Sequence, residues 1–192
     1  MNYRKVLTRL VATAILLFMP LPLSADAPKW TAYTVTDLAL PEWNSSGPSS
    51  INNNGWVVGG YSTPTGQGGN FLWKDGLTLD LGSLQPSHIN DNGDIAGTIG
   101  YPYCHAAVRS GDGTILDLDT RGSQGISSAA AINNQGKVVG TFQPSPYYYP
   151  YCPWPDKSFL YSDGVMQNLG TLGGGQCYAS DINDQGHVVG AS

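Results

Sequence analysis

The sequence predicts an all-β fold made of repeated four-stranded modules. Three observations support this prediction: a short phrase occurs four times, Asp-Gly turn signals separate short apolar runs, and no helical periodicity follows the N-terminal segment. The phrase reads Ile-Asn, two polar residues, Gly, any residue, two mostly β-branched apolar residues and Gly. Its copies occupy residues 51–59, 89–97, 132–140 and 182–190. Their starts lie 38, 43 and 50 residues apart, which matches one propeller blade or one solenoid coil, so we expect a β-propeller-like fold that is complete, incomplete or open.

Each copy of the phrase is predicted to form a β-hairpin. In residues 129–142 an Ala-rich run leads into Asn134, Gln135 and Gly136, and a β-branched strand follows. Asn tolerates left-handed backbone and Gly supplies positive φ, which suits a short loop with a Gly bulge. The alternative interpretation is a calcium loop, because residues 90–94 read Asn-Asp-Asn-Gly-Asp, but the spaced pattern that ends in a bidentate Glu is absent.

Residues 1–25 are predicted to be a signal peptide. Arg4, Lys5 and Arg9 form a basic region, residues 10–19 are apolar, and cleavage is expected after Ala25. The apolar stretch is short and prolines follow it, so we expect no membrane span after cleavage; a retained anchor is the alternative. The chain is therefore expected to be exported to the periplasm or the extracellular space.

Residues 26–192 are expected to form a single, weakly charged domain. Only 12% of the chain is charged, the net charge is −5, and 25 Gly and 13 Pro indicate many turns. Because no basic stripe is present, nucleic acid and anionic membranes are not expected as partners.

Four modules are predicted in order, and the first is abbreviated. They span residues 30–62, 70–100, 105–143 and 157–192. The first begins with an alternating strand at 33–38 and continues through a Pro, Ser and Gly loop at 41–50. Each later module contains a short apolar strand, a turn with an Asp-Gly signal, an alternating strand and the hairpin phrase.

The connection at residues 143–156 differs from the rest of the chain, because it contains five prolines and five aromatic residues. This composition favours extended backbone, and aromatic loops are good recognition surfaces for glycans or proteins. The alternative is that the rings pack on the open end of a module. The candidate binding residues are Tyr147, Tyr148, Tyr149, Tyr151 and Trp154.

The cysteines leave the disulfide pattern open. Cys104 and Cys152 each end a Tyr-Pro-Tyr-Cys string, in connections that follow the apolar strand of a hairpin phrase. Cys104 with Cys152 is the first predicted disulfide, and Cys152 with Cys177 is the second. An odd number of cysteines leaves at least one thiol free or paired between molecules.

The motifs together resemble a known family. Residues 159–164 (Phe-Leu-Tyr-Ser-Asp-Gly), 168–174 (Asn-Leu-Gly-Thr-Leu-Gly-Gly) and the phrase at 182–190 are similar to the HAF-type extracellular repeat of bacterial exported proteins. The resemblance covers residues 33–192, and departs from the pattern at 83–86, 106–108 and 119–122. It implies export and a repeated, propeller-like β-fold. It implies no defined activity and no catalytic residues.

Two functions from different classes remain. The first is a non-catalytic exported scaffold that binds a glycan or protein surface and can self-associate through an open edge. The alternative is an extracytoplasmic hydrolase with a carboxylate and histidine site in a central channel. No catalytic residue, metal site or cofactor is predicted, because the three histidines sit at unequal module positions and Glu42 is the only Glu. Acids converging with a His in one concave pocket favour the hydrolase, and an acid-poor, filled channel favours the scaffold.

Overall fold

The computed structural model describes residues 35–100, 104–119, 126–143, 157–173 and 176–192. Residues 37–192 belong to one compact unit. In the described ranges the regular structure consists of β-strands, so the all-β prediction is confirmed. These strands form no closed barrel or propeller, and the propeller-like arrangement therefore stays a prediction.

The described strands form four antiparallel sheets, which we name A to D. Sheet A contains β1 (Ser45–Ile51), β2 (Val57–Ser62), β3 (Gly68–Lys74) and β4 (Leu77–Asp80). Sheet B contains β5 (Gln85–Ile89), β6 (Ile95–Ile99), β7 (His105–Arg109) and β8 (Ile115–Asp117). Sheet C contains β9 (Ile126–Ile132), β10 (Val138–Gln143), β11 (Lys157–Ser162) and β12 (Val165–Asn168). Sheet D contains β13 (Tyr178–Ile182) and β14 (Val188–Ala191).

Within each sheet the strands pair in chain order. The hairpin phrase contributes the end of the first strand, the turn and the start of the second strand, and the apolar and alternating strands that follow it in the chain supply the third and fourth. Each complete sheet therefore joins the phrase that ends one sequence module to the strands that begin the next.

Two first strands occupy segments that do not look like strands in sequence, and one predicted strand is wrong. Residues 35–38, the described part of the predicted strand at 33–38, form no strand, whereas β1 occupies much of the predicted loop at 41–50. β1 and β5 contain Pro48 and Pro86. Proline is tolerated there because β1 and β5 are edge strands and each proline adjoins a shift in pairing register.

The hairpin turns have the predicted chemistry. In sheet C, the Gly136 N–H donates to the Asn133 carbonyl oxygen at 3.1 Å, and Gly136 adopts a φ of 75°. The corresponding glycines of the other three copies also have positive φ. Asp75 and Asp163 have a φ of 53°, and each precedes a positive-φ Gly in the turn between a third and a fourth strand. This backbone is the one that Asp-Gly turns favour.

The final Gly of each phrase is required by a close approach of two strands. In all four sheets the register shifts by one residue opposite this Gly, so the first strand bulges. A Cβ on Gly140 would collide with the Ser128 carbonyl oxygen and would lie 2.9 Å from the Ala129 Cα. The equivalent Gly59, Gly97 and Gly190 each face a backbone oxygen of the first strand in the same way.

The core lies in the junctions between successive sheets. In each junction the second apolar residue of one phrase and the Ile of the next phrase belong to the same buried cluster. The pairs are Val58 with Ile89, Ala96 with Ile132, and Val139 with Ile182. The phrase therefore supplies buried apolar residues to both sides of every junction.

We expect Gly140→Ala to destabilise the fold, because its Cβ meets backbone that no rotamer change can move. The cost should be about 1–3 kcal/mol, as for overpacked sites. Gly47→Ala is the matched control, since a Cβ there has no atom within 4 Å. Urea unfolding of both variants measures the difference, and equal stability would contradict the close-approach explanation.

Candidate functional site

The four hairpins converge on one cavity of about 350 Å³, and each sheet contributes residues to its wall. The lining residues come mostly from the first half of each phrase: Ile51, Asn52, Asn53, His88, Ile89, Asn90, Asp91, Ile132, Asn133, Asn134, Asp181, Ile182, Asn183 and Asp184. The polar side chains of this wall make two rows of hydrogen bonds from sheet to sheet, which we call the ladder.

The first row of the ladder is formed by Asn52, Asn90, Asn133 and Asn183. Each side-chain oxygen accepts at least one hydrogen bond from a backbone N–H group of its own turn. In sheet C, for example, the Asn133 Oδ1 accepts from the Gln135 N–H at 3.0 Å and from the Lys137 N–H at 2.9 Å. The oxygen therefore holds the turn closed, as Asx turns do.

The amide nitrogen of the same side chain joins one sheet to the next. Asn52 Nδ2 donates to the Asn90 carbonyl oxygen at 2.9 Å, Asn90 Nδ2 to that of Asn133 at 3.0 Å, and Asn133 Nδ2 to that of Asn183 at 3.0 Å. Asn90 and Asn133 are buried. Since a buried amide without a partner is costly, these bonds fix the stacking of the sheets.

The second row is formed by the next residue of each phrase, which alternates as Asn53, Asp91, Asn134 and Asp184. Each backbone N–H donates to the side-chain Oδ1 of the following member, at 2.8–2.9 Å. The side chains also bond one another: Asn134 Nδ2 donates to Asp91 Oδ2 at 3.2 Å and to Asp184 Oδ2 at 3.0 Å. Asn53 Nδ2 donates to Asp91 Oδ2 at 2.8 Å.

The alternation has a chemical reason. A carboxylate only accepts hydrogen bonds, whereas an amide nitrogen has two N–H groups to donate. Asn134 therefore serves a carboxylate on each side. The sequence contains the signal for this row, since the third position of the phrase reads Asn, Asp, Asn, Asp, but the hairpin interpretation alone does not predict contacts between hairpins.

The ladder lowers the pKa of Asp91. The main cause is the hydrogen bond from the Asn53 side chain, followed by the bond from the Asn53 backbone N–H, because both stabilise the ionised carboxylate. Asp91 is thereby kept as an anionic acceptor.

The cavity also brings acids and a histidine together. Asp91, Asp181 and Asp184 line it with His88, and this convergence is the pattern that favours a hydrolase. However, Asp91 and Asp184 accept ladder bonds through both of their oxygens. Asp181 Oδ1 accepts from the Ile182 N–H, and His88 Nδ1 accepts from the Ile132 N–H at 3.5 Å. Within the described ranges, no group of three His, Cys, Asp or Glu side chains is arranged to hold a metal ion.

The aromatic site predicted from the sequence is outside the described residues, because residues 144–156 contain Tyr147, Tyr148, Tyr149, Tyr151, Trp154 and Cys152. The predicted Cys104–Cys152 disulfide therefore stays a prediction. Cys177 is a buried free thiol that donates to the Gly170 carbonyl oxygen at 3.0 Å. His105 Nδ1 lies 2.7 Å from Asp117 Oδ2 within sheet B, away from the cavity.

The described strand ends show where second strands end and third strands begin. In an antiparallel meander, the turns after the first and third strands share one end of the sheet, and the second strand ends at the other. In sheet C, β10 ends at Gln143 and β11 begins at Lys157, so these two residues lie at the end opposite the ladder. Residues 144–156, which follow Gln143 in the chain, are outside the described residues.

In comparisons with known proteins, no family model, no curated protein and no solved structure matches the chain. Among the described residues there is also no helix with the length and apolar character needed to cross a membrane.

Asn133→Asp tests the first row. The substitution keeps the oxygen that closes the turn but replaces the amide donor with a carboxylate oxygen facing the Asn183 carbonyl oxygen. We expect a loss of about 2–3 kcal/mol in the free energy of unfolding, because a charged carboxylate at this buried position then faces a carbonyl oxygen instead of donating to it. Asn183→Asp is the matched control, since Asn183 is exposed and its Nδ2 contacts only His187 of its own turn. Comparable losses in urea unfolding of the two variants would argue against the inter-sheet bond.

Asp91 should make stability depend on pH. Its pKa is lower in the folded chain than the ordinary value of an aspartate, so its contribution is fully present above that ordinary value and is lost as the pH falls through the folded value. We expect Asp91→Asn to reduce the loss of stability on acidification below pH 3.8, measured by urea unfolding across pH. An unchanged pH profile would show that the carboxylate is not held by the ladder.

Proposed function

We propose that this chain is an exported, non-catalytic β-repeat scaffold that binds a glycan or protein surface. The observation that supports this proposal is the hydrogen bonding of the acids in the cavity. Asp91 and Asp184 accept the hydrogen bonds that join neighbouring hairpins, so both carboxylates have a structural role. The repeated hairpin phrases hold the sheets together. We therefore assign binding to the connections, which differ between modules.

The modules differ in the length of the connection between the second and third strands. This connection spans residues 63–67 in sheet A and 100–104 in sheet B, but residues 144–156 in sheet C. The longest one carries the Tyr and Trp residues, whose rings suit stacking on sugars or packing on a protein. Rigid sheets that present variable connections are a common design for binding proteins.

Export and the wider family are parts of the same proposal. The basic and apolar pattern of residues 1–25 supports a signal peptide, and the repeated motifs support the resemblance to HAF-type repeats of bacterial exported proteins. A propeller-like arrangement of the sheets is supported by the single cavity to which all four hairpins contribute.

The alternative, an extracytoplasmic hydrolase, has one observation in its favour, the meeting of three acids and His88 in the cavity. Asp181 is its best candidate for proton transfer, because its carboxylate bonds only the neighbouring Ile182 N–H among the described contacts and is exposed. The lowered pKa of Asp91 counts against that residue as a proton donor at neutral pH. Hydrolysis of a glycan or peptide that is lost in Asp181→Asn, with the fold intact, would select this alternative.

Replacing the aromatic side chains of the long connection tests the scaffold function. We expect the exported chain to bind a subset of sugars on a glycan array, and the variant Tyr148→Ala, Tyr151→Ala, Trp154→Ala to lose about 1–3 kcal/mol of binding free energy as ring stacking is removed. Trp56→Ala is the aromatic control at the ladder end, where Trp56 stacks under the Lys74 ammonium at 3.7 Å. Equal binding by the triple variant would reject the assignment to this connection.

A further inference from the structure

The first and last hairpins expose the apolar side chains that every internal junction buries. The Ile of the phrase is buried in sheets B, C and D, but Ile51 in sheet A is 66% exposed. The second apolar residue is buried in sheets A, B and C, but Val189 in sheet D is 61% exposed. We call the surface around Ile51 the head and the surface around Val189 the tail.

The hydrogen bonds of the ladder are also incomplete at these two ends. Among the described residues, no hydrogen bond leads from Asn183 Nδ2 or the Asp184 N–H to a following hairpin. At the head, the Asn52 carbonyl oxygen accepts from the Gly55 N–H of its own turn, and no other group in the described part of the chain donates to it or to Asn53 Oδ1. The tail therefore lacks acceptors of the kind that the head offers.

The alternation makes the head complementary to the tail. A tail Asp184 followed by a head Asn53 would repeat the step from Asp91 to Asn134, where the Asp N–H donates to the Asn Oδ1 and the Asn Nδ2 donates back to the Asp Oδ2. Asn134 uses its Nδ2 on both sides, whereas Asn53 donates only to Asp91. The second N–H of Asn53 is the donor that a preceding carboxylate needs.

The strands needed for such a junction are present. In the internal junctions the first strand of the following sheet packs on the first and second strands of the preceding sheet, as β9 packs on β5 and β6. Sheet D supplies β13 and β14 for these two positions, and β1 of sheet A is an exposed first strand.

We propose that the tail of one copy of this chain binds the head of a second copy and continues the ladder between molecules. Val189 of one copy packs against Ile51 of the next, and Asp184 bonds Asn53. This contact is heterologous, so repetition of the contact gives a ring or a filament. The inference does not depend on a catalytic or a binding function of the chain.

The competing occupant of the tail is an added β-strand. In sheets A, B and C the second strand is paired on its outer edge by a third strand, whereas β14 has no such partner among the described strands. An open edge of this kind can pair with another edge. We favour the head because three of its features match the tail: the apolar side chain, the hydrogen-bonding groups and the position of the first strand. An added strand edge would match the tail only in backbone hydrogen bonding.

Two complementary blocked variants test the proposal by light scattering and sedimentation over a concentration series. Ile51→Glu places a charge on the head and leaves the tail intact, and Val189→Glu does the reverse. Both positions are exposed within one chain, so neither change disturbs its core. Val165→Glu, at an exposed site on β12, is the matched control.

We expect the unmodified protein and Val165→Glu to associate as the concentration rises, and each blocked variant alone to be monomeric. An equimolar mixture of the two blocked variants should form a species of twice the monomer mass and no larger one, because one tail and one head remain. A monomeric unmodified protein would overturn the proposal. Association of Ile51→Glu alone would indicate pairing of tails through β14, and association of Val189→Glu alone would indicate contact through heads or the N-terminal segment; either result would also overturn it.

Discussion

The two ends of one amide side chain control both the turns and the stacking of this protein. The oxygen of Asn133 closes its own hairpin, and the nitrogen of the same amide group binds the next hairpin. Asp supplies the oxygen without the donor, and Gln supplies both groups on a longer stem. Asn is therefore the residue that performs both tasks in this geometry, and the shape of each turn is coupled to the position of the neighbouring sheet.

The final Gly of the phrase imposes a second constraint, which acts within one sheet. Its missing Cβ lets the first strand bulge toward the second, with Pro48, Pro86, Ala129 and Ala179 opposite the four glycines. The bulge follows within a few residues of the turn that the Asn closes. Turn, bulge and junction are thus specified by one short segment, which explains why that segment recurs while the connections around it vary.

The sequence predicts the turns and most of the strands, but it does not predict the contacts between modules. Asn134, Gln135 and Gly136 indicate a turn because their preferences act within a few residues, and the second, third and fourth strands of sheets B and C follow from their apolar patterns. β1 was missed because its Ser, Gly and Pro residues have little strand preference, and only pairing with β2 makes it a strand. The hydrogen bond from Asn90 to Asn133 joins residues 43 positions apart, so no local pattern predicts it. The alternation of Asn and Asp at the next position of the phrase is the sequence signal of the second row.

The alternating row restricts the order of modules in arrays of this kind. Two carboxylates in succession would face each other without a side-chain donor, whereas two amides in succession keep both a donor and an acceptor. The row Asn53, Asp91, Asn134 and Asp184 places an amide beside each carboxylate. Duplication of a module that carries Asp would place two carboxylates side by side, and duplication of an Asn–Asp pair would preserve the row. We therefore expect arrays related to this one to contain no two consecutive carboxylates in this row.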